Sequence, residues 1–144
     1  MNPGETDHAC FALDGRVECV AEARDLARRL FQHASPPLSN ELIVDAQLAV
    51  TELVTNAVKH APGALELEIA IDEGMIAVSV HDSGRELPVE RVPDITGAGG
   101  FGLVMLRRLA GAVHTSTRAG GKTVSVAIPR RAPRYTRTEA AKPA

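Results

Sequence analysis

A carboxylate, a carboxamide and an ammonium stand at helical spacing in the run Leu48-Ala49-Val50-Thr51-Glu52-Leu53-Val54-Thr55-Asn56-Ala57-Val58-Lys59-His60-Ala61-Pro62. Residues four apart share a helix face, so Glu52 and Asn56 lie one above the other and Lys59 continues the same stripe. A carboxamide oxygen suits Mg²⁺, a hard cation that keeps several waters and takes few protein ligands, which makes Asn56 the candidate metal ligand. Lys59 can place a point charge on a phosphate. Glu52 can take a proton from an attacking hydroxyl, or hold the water that does so. Two later stretches offer what the rest of a nucleotide would need. Asp82-Ser83-Gly84 closes an apolar strand pattern; Asp82 can accept hydrogen bonds from an exocyclic amine, and Gly84 leaves space for a flat ring. Gly97, Gly99, Gly100 and Gly102 run into Leu103, and glycines ahead of a helix bring unpaired backbone N–H groups close to an anion. Together these groups describe a magnesium-nucleotide site.

Each piece alone has a plainer reading. A polar stripe on a helix is usually a solvated face, and Asn56 could be a satisfied core amide. Asp-Ser-Gly after a strand is often a turn, and a short glycine cluster is more often a loop than a phosphate cradle. Lys122, beside Gly120 and Gly121, reads as a hairpin residue. It is the ordered combination that favours the site.

The positioning elements follow from periodicity. Leu42, Ala46, Val50, Leu53, Val54 and Ala57 fill a broad arc opposite the polar stripe, as expected for a largely buried helix capped by Ser39 or Asn40 and closed by Ala61-Pro62-Gly63. An amphipathic helix is expected over residues 17–33, with Val17, Val20, Ala23, Ala27, Leu30 and Phe31 apolar and Arg24, Arg28 and Arg29 polar. Residues 9–13 are a short strand candidate ended by Asp14-Gly15. Residues 65–71 and 75–81 alternate as a hairpin around Asp72-Glu73-Gly74. Residues 85–99 form a long connection of the kind that serves as a lid, and a short helix is expected over 103–110. Residues 112–117 and 123–128 are the last two strands. The predicted fold class is α+β: a two-layer α/β sandwich with a mixed, mainly antiparallel sheet and helices on one face.

Composition bounds the partners. The 144 residues, 44% hydrophobic and 24% charged, suit one domain over residues 8–129, with a loose end over 1–7 and a tail over 130–144. That tail carries five basic residues and one acid, so residues 1–129 hold 11 basic against 17 acidic side chains. An acidic body argues against a phosphate backbone, and 3% aromatics leave few platforms for base stacking; no direct nucleic-acid partner is expected. Cys10 and Cys19 have no His or Cys between them and make no metal-ligand spacing. No secretory signal and no membrane-spanning run is visible, so a cytoplasmic chain with reduced thiols is expected.

The segment from Glu52 to His60 resembles the N box of the GHKL ATPases. Asp82-Ser83-Gly84 looks like their G1 box, residues 97–103 look like the G2 region and ATP lid, and Gly121-Lys122-Thr123 is similar to their late Gly-x-Thr element. Four motifs in this order cover residues 17–129 and imply the Bergerat ATP-binding fold. The Thr-Glu-Leu-Val-Thr-Asn-Ala-Val pattern in a short chain most resembles the anti-sigma-factor serine kinases of the RsbW and SpoIIAB type. That resemblance implies ATP and Mg²⁺, a sigma factor and an anti-anti-sigma (STAS-type) protein as partners, possible homodimers, and phosphoryl transfer to a partner serine. It makes Glu52 the general base, Asn56 the Mg²⁺ ligand, Lys59 a phosphate contact and Asp82 the adenine reader. Gly84, Gly97, Gly99, Gly100, Gly102 and Leu103 would line the nucleotide, with Thr123 near the base. Two positions depart from the pattern: Glu86 stands where a second glycine is usual, and Phe101 interrupts the glycine motif. An ATP-binding module that sequesters a partner without transferring phosphate is the alternative.

Overall fold

Strict alternation builds the sheet. Leu65, Leu67, Ile69 and Ile71 are buried along one strand, Ile76, Val78 and Val80 along the next, and Val124, Val126 and Ile128 along the last; successive side chains of a strand face opposite ways, so these residues share one face. The computed structural model describes residues 7–61, 63–83, 113–118 and 120–130. In chain order the elements are β1 (Asp7–Leu13), α1 (Cys19–Gln32), α2 (Asn40–His60), β2 (Leu65–Ile71), β3 (Met75–Asp82), β4 (Val113–Arg118) and β5 (Gly121–Pro129). They form one five-stranded sheet in the order β1-β2-β3-β5-β4. All four pairings are antiparallel. The α+β sandwich expected from the sequence is therefore present, and the parallel component of a mixed sheet is absent among the described strands.

The two helices cover the apolar face. Cys19, Ala23, Ala27 and Phe31 recur every fourth residue and are buried on α1. On α2 the buried arc is Leu42, Asp45, Ala46, Ala49, Val50, Leu53, Val54 and Ala57. α1 packs on α2, and α2 packs on β3 and β5. Helix α1 begins later than periodicity indicates. Val17, counted with its apolar face, is 68% exposed, and the backbone from Arg16 to Cys19 closes a turn before the helix.

Helix α2 starts at a defined cap. Ser39 is extended, and its hydroxyl accepts from the Leu42 N–H at 3.1 Å, which satisfies one of the donors a helix start leaves open. Ser39→Ala should lower stability by about 1 kcal/mol. Urea unfolding should show a lower midpoint with an unchanged slope; an unmoved midpoint would remove this cap from the account.

Residues 1–6 of the expected loose end at 1–7, the lid at 85–99, the helix at 103–110 and residues 131–144 of the tail at 130–144 lie outside the described residues; Asp7, counted with the loose end, opens β1.

Candidate functional site

The site is built at one end of the sheet. Asp82, the last residue of β3, pairs with Leu65 on one side and Lys122 on the other. Its parity is that of Val78 and Val80, so its carboxylate enters the layer between sheet and helices rather than solvent. The Asp82 side chain is 1% exposed and the Lys122 side chain 0%, with Lys122 Nζ 3.6 Å from Asp82 Oδ2. Lys122 is thus not a turn residue. The β4–β5 hairpin closes on the Arg118–Gly121 pair, which puts Lys122 inside β5 on the inward face with Val124.

Gly121 makes that approach possible. Its φ is +149°, and a Cβ built on it would fall 1.8 Å from the Asp82 carbonyl oxygen, so only glycine lets β5 lie this close to the end of β3.

The polar stripe of α2 arrives at the same end. Glu52 and Asn56 are half-buried and Lys59 is exposed, so the stripe runs from the packed layer outward along the last turns of the helix. α2 ends at Ala61, and a few residues later Leu65 starts β2 opposite Asp82. A Cβ on Gly63, within that connection, would sit 3.8 Å from Ser83 Oγ. The connection therefore rests against the residue that follows Asp82. Lys59, in the last turn, also places positive charge at the negative end of the helix.

Thr123 does not join this group. One residue on from Lys122, it points to the other face, where its hydroxyl lies 2.7 Å from His81 Nδ1. Of the sequence candidates, Asp82 faces the layer in which α2 packs on β3 and β5, and Thr123 faces the other side of the sheet. Lys122 is the residue that sequence reasoning misses, although its parity with Val124, Val126 and Ile128 is there to be read. Gly84, Gly97, Gly99, Gly100, Gly102 and Leu103 lie outside the described residues.

The donor set fits a magnesium-nucleotide. A buried carboxylate beside an ammonium offers an acceptor and a donor to the edge of a purine, and a half-buried carboxamide one turn from a carboxylate offers neutral oxygen to a hard cation.

An α+β sandwich with a half-buried polar stripe on α2 and a buried carboxylate at the end of β3 suits a nucleotide-binding class of domain. The chain belongs to the histidine kinase-like ATPase domain family, whose model matches residues 13–128. The chain is similar to the serine-protein kinase RsbW of Oceanobacillus iheyensis, 30% identical over 99 residues, which cover 57% of this chain and 63% of that relative. Among solved structures it is similar to the RsbU and RsbW domains of Rv1364c from Mycobacterium tuberculosis, with a TM-score of 0.65 and 22% identity over 88% of this chain and 34% of that one. It is also similar to the histidine kinase domain of the Erythrobacter litoralis EL346 blue-light activated histidine kinase, with a TM-score of 0.50 and 26% identity over 62% and 45% of the two chains. The chain thus spans less than two thirds of the length of each of these relatives. Among the described residues no helix is long and apolar enough to cross a membrane.

Proposed function

We propose that the chain binds Mg²⁺-ATP at the β3 end and transfers the γ-phosphate to a serine of an anti-anti-sigma (STAS-type) protein, and that it also holds a sigma factor. The observation that carries this reading is the half-buried Glu52–Asn56 stripe on a helix that ends beside the buried Asp82. Membership of the histidine kinase-like ATPase family and the likeness to a serine-protein kinase support it.

The residues divide the work. The Asp82 carboxylate accepts from the adenine amino group, and Lys122 stands ready to donate to a neighbouring ring nitrogen. Asn56 would hold Mg²⁺ through its amide oxygen, and the ion would supply charge neutralisation on the phosphates. Lys59, exposed on the outer turn, meets phosphate oxygens. Glu52 takes the serine hydroxyl proton as the serine oxygen bonds to the γ-phosphorus; the bond from that phosphorus to the β,γ-bridging oxygen breaks, and ADP leaves with those electrons.

Glu52→Gln should keep ATP affinity within about twofold and slow phosphoserine formation by roughly 10²–10⁴-fold, the usual contribution of a positioned base. Calorimetry with Mg²⁺-ATP and a phosphate-transfer assay on partners recovered from cell extract would measure both. An unchanged transfer rate would remove Glu52 from the chemistry. Nucleotide-dependent partner capture without phosphoserine in the wild type would replace transfer by sequestration.

A further inference from the structure

The sheet face opposite the helices carries a line of polar side chains across four neighbouring strands. His8 of β1 places Nε2 2.6 Å from Glu68 Oε2 of β2. His81 of β3 places Nε2 2.9 Å from Glu68 Oε1, and its Nδ1 faces Thr123 of β5. In the neutral ring His81 Nε2–H donates to the carboxylate, so Nδ1 accepts from the Thr123 hydroxyl. Cys10 is directly opposite Glu68 in the β1–β2 register and is an exposed, free thiol. A His8 ring nitrogen, Cys10 Sγ and a Glu68 carboxylate oxygen all lie within 4.8 Å of one another.

We propose that His8, Cys10 and Glu68 form a binding site for a borderline-soft divalent transition-metal ion, Zn²⁺ foremost, with His81 as the residue that positions the Glu68 carboxylate. The site is on the sheet face away from Asp82 and does not depend on the kinase reading. Thiolate, imidazole and carboxylate are the Zn²⁺ ligand types, whereas Mg²⁺ and Ca²⁺ prefer oxygen alone. Tetrahedral Zn²⁺ sets its donor atoms about 3.5 Å apart, a spacing that small side-chain rotations can reach from the observed cluster. The strand positions are fixed by pairing: Cys10 and Glu68 face each other, and His8 is the next residue on the same face of β1. Three protein ligands leave a fourth position for water.

The carboxylate is held before any ion arrives. Hydrogen bonds from His8 and His81 hold the two Glu68 carboxylate oxygens in place. Desolvation, with the negative charges of Glu68 and Glu66, pushes the Cys10 thiol up, so the ion must draw off its proton on binding. On binding, the Cys10 thiol gives its proton to solvent and the His8 proton moves to Nδ1, which frees the Nε2 lone pair. Glu68 Oε2 exchanges the His8 hydrogen bond for the ion, and Oε1 keeps the bond from His81, the outer-shell arrangement usual around metal ligands.

The test uses the full, untagged chain, stripped of metal and kept reduced with a phosphine, titrated with Co²⁺ and then Zn²⁺. The expected result is one Co²⁺ per chain with a thiolate-to-cobalt charge-transfer band, displaced by Zn²⁺. Cys10→Ser should abolish the band, and Glu68→Gln should weaken Zn²⁺ binding by more than the roughly 100-fold reached by outer-shell changes. His81→Gln should keep the band and weaken binding by about 10–100-fold. Far-ultraviolet circular dichroism of each metal-free variant separates lost ligands from lost folding, and Cys10→Ser should leave Mg²⁺-ATP affinity unchanged. Absence of Co²⁺ uptake by the wild type, uptake without a thiolate band, or uptake that survives Cys10→Ser would overturn the site and leave the line of side chains a hydrogen-bonded belt alone.

Discussion

Lys122→Met is expected to lower the stability of the fold by about 3 kcal/mol, the cost of removing one partner from a buried ion pair. Both side chains are almost wholly out of solvent, at 0% and 1% exposure, with 3.6 Å between Nζ and Oδ2. Methionine matches the length of the lysine stem and fills the space, so the loss reports charge rather than volume. What remains is the Asp82 carboxylate in the same packed layer without the lysine charge. At a chain of this size the melting temperature should fall by roughly 6–12 °C. Asp82→Asn alone should be similarly costly, because it takes the carboxylate charge away from the buried ammonium. The double variant should recover part of the loss, with a coupling energy of about 2 kcal/mol in a double-mutant cycle. Two strictly additive single losses would show that the pair does not act as a pair.

Gly121→Ala is the second large effect, of about 3 kcal/mol. A methyl group there would meet the Asp82 carbonyl oxygen at 1.8 Å and the Ser83 Cα at 2.8 Å, both backbone atoms, at a φ of +149°. Neither obstacle can rotate away, so β5 must part from β3 at the end where the site is built. Nucleotide affinity should fall with stability, since Asp82 and Lys122 sit on the two strands that separate. Gly120 is the control: nothing lies within 4 Å of a Cβ built there, and Gly120→Ala should change stability by no more than about 0.5 kcal/mol. Urea midpoints and Mg²⁺-ATP calorimetry on the two variants would measure the contrast, and equal effects would contradict the close approach.

Both features of α2, its buried arc and its polar stripe, are legible in the sequence because they depend on one period. Leu42, Ala46, Val50, Leu53, Val54 and Ala57 are buried, and Glu52 and Asn56 sit on the flank of that arc. Lys122 escapes the same reading because its glycine neighbours suggest a turn over residues 119–122. The observed hairpin is shorter, and the strand begins at Gly121. A strand alternates at every residue, so moving its start changes Lys122 from loop to core without changing its neighbours. The same parity turns Thr123 to the far face, beside His81. The His8–Cys10–Glu68 cluster is invisible in the sequence for another reason. Ligand spacing along a chain reveals sites held by one hairpin or helix, whereas these ligands meet only through the pairing of β1 with β2 across both helices.

That pairing also orders the assembly of the chain. The hairpins β2–β3 and β4–β5 join near neighbours and can form as soon as their strands exist, whereas β3–β5 and β1–β2 enclose long segments, and long loops close slowly. Of the described strands β1 is synthesised before the others, yet its outermost partner, Ile71, lies beyond α1 and α2. This strand is therefore among the last to dock, and until it does, one edge of β2 stays open to any other extended segment.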